Sequence, residues 1–417
     1  MDICIIGAGI SGMSLARILV KNGYNVEILE ALQQVGGIAR TRDVNGIAYH
    51  INGGHCFNSK YDDVMDFVFN DILEKDRWNK INRNAKIWFK NTWISYPIEF
   101  AIKEVYNLDK SMAFNITKEM FEANYENGNN LEEWFINHFG KTLSREYFIP
   151  YNTKIWGIEP KNMDFSWIVD DKQMKLPVPS KESFFKGLID SNTDDMAHAC
   201  FYYPKTNNQN TFIDAFNNGS FKIMLNYVVE KIEYNNKKYI VNGEKKYDLL
   251  INTSPLNEIY KKIDFNIPSE VMDSFKKLKY NKVSNMLWET DGELDATWAY
   301  IPSKDNKIHR LSNIGALFRP VKNYCITESI GNISFDELYR EGKKIKYLTK
   351  PLDYNVTEHA YVFFDLNYTK VKKICVDYLN SLGIISHGRF GEWEYYNMDI
   401  CIKRSIDLSK KIISNYK

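Results

Sequence analysis

The chain opens on "DICII", a short run of mostly β-branched apolar residues, followed by "ISGMSLARILVKNGY", where apolar positions recur at helical spacing. "NVEIL" is a second short apolar run. Runs of this kind predict buried parallel strands joined by a helix. "GIAYHINGGHCFNSKYDDVMDFV" then predicts a strand, a glycine turn and a helix, and the alternation in "KIWFKNTWISYPI" predicts a hairpin. From about residue 100 to 175 the pattern is helical, through "SMAFNITKEMFEANYEN" and "NLEEWFINHFGKTLSREYF", and predicts an inserted helical subdomain. "TFIDAFNNG" resumes a helix. "FKIMLNYVVEKIEYNNKKYIVNGEKKYDLLINTSP" predicts several strands joined by Asn-Asn and Asn-Gly turns. Residues from about 260 to 375 mix helices with longer strands such as "HAYVFFDL", and "CIKRSIDLSKKIISNY" is an amphipathic helix.

Composition narrows the class. The 417 residues suggest two or three domains at roughly 150 residues each. Lys+Arg total 54 against 53 Asp+Glu, so no global charge favours nucleic acid or an anionic membrane. No apolar run is long enough for a membrane span, and the first strand begins too early to leave room for a signal peptide. Cys4, Cys56, Cys200, Cys325, Cys375 and Cys401 form no CxxC pair. Scattered cysteines in a long chain fit buried thiols in a reducing, cytoplasmic setting. The histidines show no HExxH or other metal-ligand spacing, so no metal is expected. A homo-oligomer stays open.

The chemistry starts at the first turn. Gly7, Gly9 and Gly12 form a GxGxxG between strand and helix, and Glu30 follows at the end of the second strand. Gly7 permits the tight turn, Gly9 lets a pyrophosphate approach the backbone, and Gly12 lets helix and strand pack closely. The helix N-terminus presents free N–H groups to phosphates, and Glu30 accepts from ribose hydroxyls. A dinucleotide is the expected ligand. Gly36-Gly37 and Arg40 follow in "VGGIARTRD", a second close backbone approach to the same molecule. This two-part pattern resembles the FAD-binding domain of flavin amine oxidases, protoporphyrinogen oxidases and UDP-galactopyranose mutases, and implies FAD.

Four further segments resemble the UDP-galactopyranose mutase family, the eukaryotic-type members more than the bacterial ones. They are "GGHCFNSKYDDVMDF", "PYNTKIWGIEPKNMDFSW", "WAYIPSKDNKIHR" and "GRFGEWEYYNMD", in the family's order. The resemblance implies an α/β fold: a Rossmann-type FAD-binding domain (1–85, 206–260 and 376–417), the helical subdomain (100–175), and an antiparallel β-sheet substrate domain (86–99, 176–205 and 261–375). It implies an isomerase that interconverts pyranose and furanose forms of a nucleotide-linked sugar, UDP-galactose or a relative, in cell-surface polysaccharide biosynthesis. N5 of reduced FAD attacks the anomeric carbon, with NADH or NADPH as a candidate electron donor.

The same resemblance assigns residues one at a time. Gly54 and His55 lie at the flavin ring, and His55 with Arg310 is a candidate for catalysis. Tyr300, Arg310 and Tyr395 grip the substrate diphosphate, where a guanidinium offers forked donors. Asn397 lies by the sugar and the flavin, Arg389 and Asp399 on the FAD, and Val228 at the adenine through its backbone. Trp156 and Trp167 either stack on the base or pack in the core. One departure stands out. "CFYYPKTNNQNTFIDAF" lacks the family's second arginine near Tyr202 or Thr206, and Lys205 offers only a point charge. The rival reading is an FAD-dependent oxidoreductase of the amine oxidase or protoporphyrinogen oxidase type, which needs an apolar tunnel rather than a diphosphate clamp.

Overall fold

A computed structural model of the chain describes residues 1–170, 176–190, 200–292, 294–313 and 323–415. The first layer is a five-stranded parallel sheet. Its order is Ile384–Ser386, Leu249–Asn252, Asp2–Ile6, Asn25–Leu29, Lys222–Met224. The central strand pairs on both sides, Ile3 with Leu249 and with Val26. All four residues of Leu249–Asn252 are buried, as a strand covered on both faces requires. The helices Ile10–Lys21 and Met398–Asn415 pack against each other on one face. Parallel strands point their carboxyl ends the same way, so Gly7, Glu30 and Thr253 all emerge at one edge, where open α/β sheets bind ligands.

The second layer is a seven-stranded sheet, ordered Leu348–Val362, Tyr280–Thr290, Tyr324–Ile330, Arg310–Ser312, Trp298–Tyr300, Ala85–Phe89, Thr92–Ser95. It is antiparallel except where Trp298–Tyr300 runs parallel to Ala85–Phe89. The hairpin expected from "KIWFKNTWISYPI" is Ala85–Phe89 with Thr92–Ser95. Register decides the chemistry: Tyr300 lies directly across from Arg310, and Arg310 directly across from Glu328.

The helical segment includes Ile102–Leu108, Lys110–Glu122, Leu131–Phe139 and Ile149–Trp156. Asp109 and Asn130 cap two of these, accepting from Met112 N at 2.9 Å and Glu133 N at 3.0 Å. Trp134, Phe135, Phe139 and Phe148 fill its core. Residues 171–175 of the segment lie outside the described residues. The strand Cys200–Pro204, grouped with the large sheet on sequence, pairs instead with Trp78–Asn82 in a separate two-stranded ladder. A strand's pattern shows that it must pair and not with whom.

Candidate functional site

A cavity of about 680 Å³ runs from the glycine turn to the tyrosine-rich edge of the large sheet. Gly7 has φ +104°, and a Cβ there would fall 2.5 Å from Thr253 Oγ1. A Cβ on Gly12 would lie 2.1 Å from Gly7 O, so this glycine serves helix packing and does not line the cavity. Gly9 meets nothing within 4 Å and leaves its backbone open. The second glycine pair backs onto the first: Gly36 N donates to Ala8 O at 2.8 Å, and a Cβ on Gly37 would sit 3.3 Å from Gly9 Cα. Glu30 is buried and accepts from Ala8 N at 2.7 Å and Leu32 N at 2.9 Å, while still lining the cavity. Arg40 donates to Gly37 O beside it. Bare glycine backbone and a helix N-terminus supply the donors, and a held carboxylate the acceptor, that a dinucleotide's pyrophosphate and ribose require.

Further along, Gly53 at φ +79° turns the chain so that Gly54 and His55 form the wall. His55 Nδ1 donates to Gly53 O at 2.8 Å, and the His55 N–H donates to His50 Nδ1 at 3.3 Å. Burial, then the nearby Arg389, pulls the His55 imidazole down to about 4, so it is neutral at pH 7 and keeps Nε2 as an acceptor. His50 is pulled to about 3, by burial first, and its Nε2 donates to Tyr203 OH at 2.9 Å. Arg389 donates to Tyr396 O at 3.0 Å and Ala360 O at 2.7 Å, and its plane lies 4.7 Å over the Tyr395 ring. Its Nε is buried with no protein acceptor among the described residues. Asn397 and Asp399 also line the cavity. Asn397 O accepts from Cys401 N at 3.0 Å, and Asp399 is the second residue of the last helix rather than its cap. Burial raises the Asp399 carboxyl to about 6.

The far end carries the aromatic and cationic side chains. Arg310 Nε and Nη2 donate to Glu328 Oε1 and Oε2 at 2.9 and 2.5 Å, and Ser312 Oγ donates to Oε1 at 3.0 Å. Glu328 is fully buried, and a Cβ on Gly53 would lie 2.4 Å from it. Tyr300 OH accepts from Arg83 Nη2 at 2.8 Å. The Arg83 guanidinium lies 4.7 Å over Tyr96 and 5.8 Å over Trp298. Arg83 was not foreseen: it stands in "INRNAKIWF" with no motif around it, and only the parallel pairing of Ala85–Phe89 with Trp298–Tyr300 brings it to Tyr300.

Several expected residues fall elsewhere. Trp156 and Trp167 are core, 5.1 Å apart; Trp167 stacks on Phe364 at 4.8 Å, and both pack edge-on behind Tyr395. They brace the wall and touch no ligand space. Lys205 is exposed and outside the cavity, so it does not replace the absent arginine. Tyr202 packs on Phe69 at 5.1 Å, and Thr206 bonds Thr211. Val228 is half exposed and its carbonyl accepts from Asn242 at 2.9 Å. Its neighbours Tyr227 and Val229 line the cavity instead. Among the described residues no three His, Cys, Asp or Glu side chains group to hold a metal ion.

Residues 5–70 match the family described as NAD(P)-binding Rossmann-like domain. The chain is 29% identical over 170 residues to a probable UDP-galactopyranose mutase of Klebsiella pneumoniae, covering 40% of this chain and 43% of that protein. It superposes on the crystal structure of a reduced UDP-galactopyranose mutase with a TM-score of 0.83, across 100% of this chain and 96% of the other. Part of the chain is thus similar in sequence to UDP-galactopyranose mutases. At 22% identity the superposition shows a shared fold. A dTDP-fucopyranose mutase of Escherichia coli is 27% identical over 169 residues, 39% of this chain and 44% of that protein. The sequence matches thus span less than half the length of these two mutases. Over the whole chain, the likeness to the UDP-galactopyranose mutase is one of architecture: a parallel dinucleotide-binding sheet, a helical segment and an antiparallel-rich sheet.

Proposed function

We propose that the protein is a flavin-dependent nucleotide-sugar mutase, an isomerase that interconverts the pyranose and furanose forms of UDP-galactose or a related sugar nucleotide. The observation that carries this reading is the cross-strand pair Tyr300–Arg310, set with Arg83 and Tyr395 in the cavity that the glycine turn opens. A polar, cationic end on a dinucleotide site suits a second diphosphate and gives an oxidase of apolar substrates nothing to use.

The residues fit FAD. Gly7, Gly9 and Glu30 take its adenosine diphosphate half, with Gly12 setting the helix. Gly36, Gly37 and Arg40 lie along its centre. Gly54, His55, Arg389, Asn397 and Asp399 would hold the ring, where the Arg389 Nε, unpartnered among the described residues, would supply a donor. When bound and reduced, FAD supplies N5 as a nucleophile toward the anomeric carbon. NADH or NADPH is the candidate electron source. Free Cys4, Cys56, Cys200, Cys325, Cys375 and Cys401 suit a reducing, cytoplasmic setting.

The chain's own groups do the rest. Arg310, oriented by Glu328, keeps Nη1 for a phosphate oxygen; Arg83 and the Tyr300 hydroxyl add donors beside it. These groups steady the leaving diphosphate. The neutral His55 accepts a sugar or flavin N–H or O–H through Nε2. Arg83 also answers the missing second arginine: a guanidinium is present, from the link between Trp78–Asn82 and Ala85–Phe89.

The test is chromatography of dithionite-reduced protein with UDP-, dTDP- and GDP-sugars. Furanose product that appears only under reduction supports the reading. Net electron transfer to oxygen from an amine or porphyrinogen, with every sugar nucleotide unchanged, sinks it.

A further inference from the structure

Lys154 lies on the helix Ile149–Trp156, outside the cavity. Its ammonium donates to three backbone carbonyls: Ile301 O at 2.6 Å, Ser303 O at 2.8 Å and Ile308 O at 2.7 Å. No carboxylate pairs with it among the described residues. All three carbonyls belong to the turn 301–309, which joins the strand ending in Tyr300 to the strand beginning at Arg310. The turn is held on its other side by the helix Phe335–Gly342 and the residues after it. Glu341 Oε2 accepts from Lys307 N at 2.9 Å, and Lys344 Nζ donates to Asp305 O at 3.0 Å.

A compact ammonium has three donors, and here each closes on a carbonyl of one turn. Ile301 is one residue past Tyr300 and Ile308 two before Arg310. Shifting these carbonyls shifts both clamp side chains. The same helix carries Tyr151, whose ring lies 5.7 Å from Tyr300. Burial pulls the amine down to about 7, opposed by Glu341 and Asp305. Only the protonated form has the three N–H donors that the three carbonyls take up.

We infer that Lys154 is a positioning residue: it pins the 301–309 turn to the helical layer and thereby fixes the spacing of Tyr300 and Arg310. Its effect on ligand affinity rests on the diphosphate clamp proposed above; its effect on the turn does not.

The test is Lys154→Met in the flavin-loaded protein, with Lys154→Gln alongside in case the first variant does not fold. Deuterium uptake is followed in peptides spanning 301–309, and UDP affinity by calorimetry. The expected result is faster exchange concentrated in 301–309, a modest fall in melting temperature, and a loss of UDP affinity of about tenfold, the size of a lost hydrogen bond. Unchanged exchange in the turn overturns the proposal, as does exchange that rises over the whole chain. If wild-type protein binds no UDP, the clamp reading fails while the exchange data still decide the role of Lys154.

Discussion

Glu328 holds the Arg310 guanidinium from its buried side, with both carboxylate oxygens engaged, at 2.9 and 2.5 Å. The carboxylate has no exposed surface, and it reaches the arginine only because Gly53 lacks a side chain. Arg310 is therefore a cavity-lining cation whose charge is already matched from behind.

Glu328→Gln should be costly. An amide keeps one acceptor and removes the charge, leaving the guanidinium unmatched. Breaking one partner of a buried pair costs about 3 kcal/mol. Urea denaturation should show that loss together with weaker UDP binding. Stability within 0.5 kcal/mol of wild type, a range typical of neutral surface changes, would contradict the pairing.

Arg83→Met should weaken UDP binding by about 2 kcal/mol, as loss of a charge-assisted contact does, and leave the fold intact. Tyr300→Phe should cost less, about 1 kcal/mol, because the ring remains to pack on Tyr96 and Tyr151. Arg310→Ala should combine lost affinity with lost stability, since it strands Glu328. Calorimetry on the three variants checks the order.

His50 and His55 set an acid limit. Both imidazoles have folded values below the ordinary 6.5, at about 3 and about 4, so the unfolded chain binds more protons between. Their contribution is intact above pH 6.5 and is lost as pH falls toward 4. His50→Gln, whose amide can still accept from His55 N and donate to Tyr203, should flatten part of the slope. Denaturation curves at pH 4.5, 5.5 and 7 measure it.

Asp399 acts in the opposite sense. Its carboxyl is raised from 3.8 to about 6, so the folded form binds the extra proton. The stabilisation is full below 3.8 and disappears as pH rises through 6. The stability of wild type relative to Asp399→Asn should drop by about 3 kcal/mol across that window. A difference that stays flat with pH would remove the assignment.

The glycine turn, Glu30 and the second glycine pair were legible in the sequence because each of their jobs is local. A strand, a turn without Cβ atoms and a helix start within a few residues define them. The tyrosine and arginine of "WAYIPSKDNKIHR" were legible as a pair through a known family pattern. Trp156 and Trp167 were ambiguous for a physical reason: helical spacing shows that an aromatic faces inward, and not whether core or cavity lies there. Val228 sits in the irregular stretch after Lys222–Met224, half exposed, while its neighbours Tyr227 and Val229 line the cavity. Lys205 had the right charge and the wrong side of the chain.

By itself, then, the sequence determined the dinucleotide turn, the α/β class and the kind of groups the site would use. Only the tertiary structure decided that Arg83 meets Tyr300, that Glu328 backs Arg310, and that Lys154 grips the turn between them. Those contacts join residues 217 positions apart for Arg83 and Tyr300, 147 for Lys154 and Ile301, and 18, across adjacent strands, for Arg310 and Glu328. Strand order and register create them, and no local pattern of side chains records which strands will lie side by side.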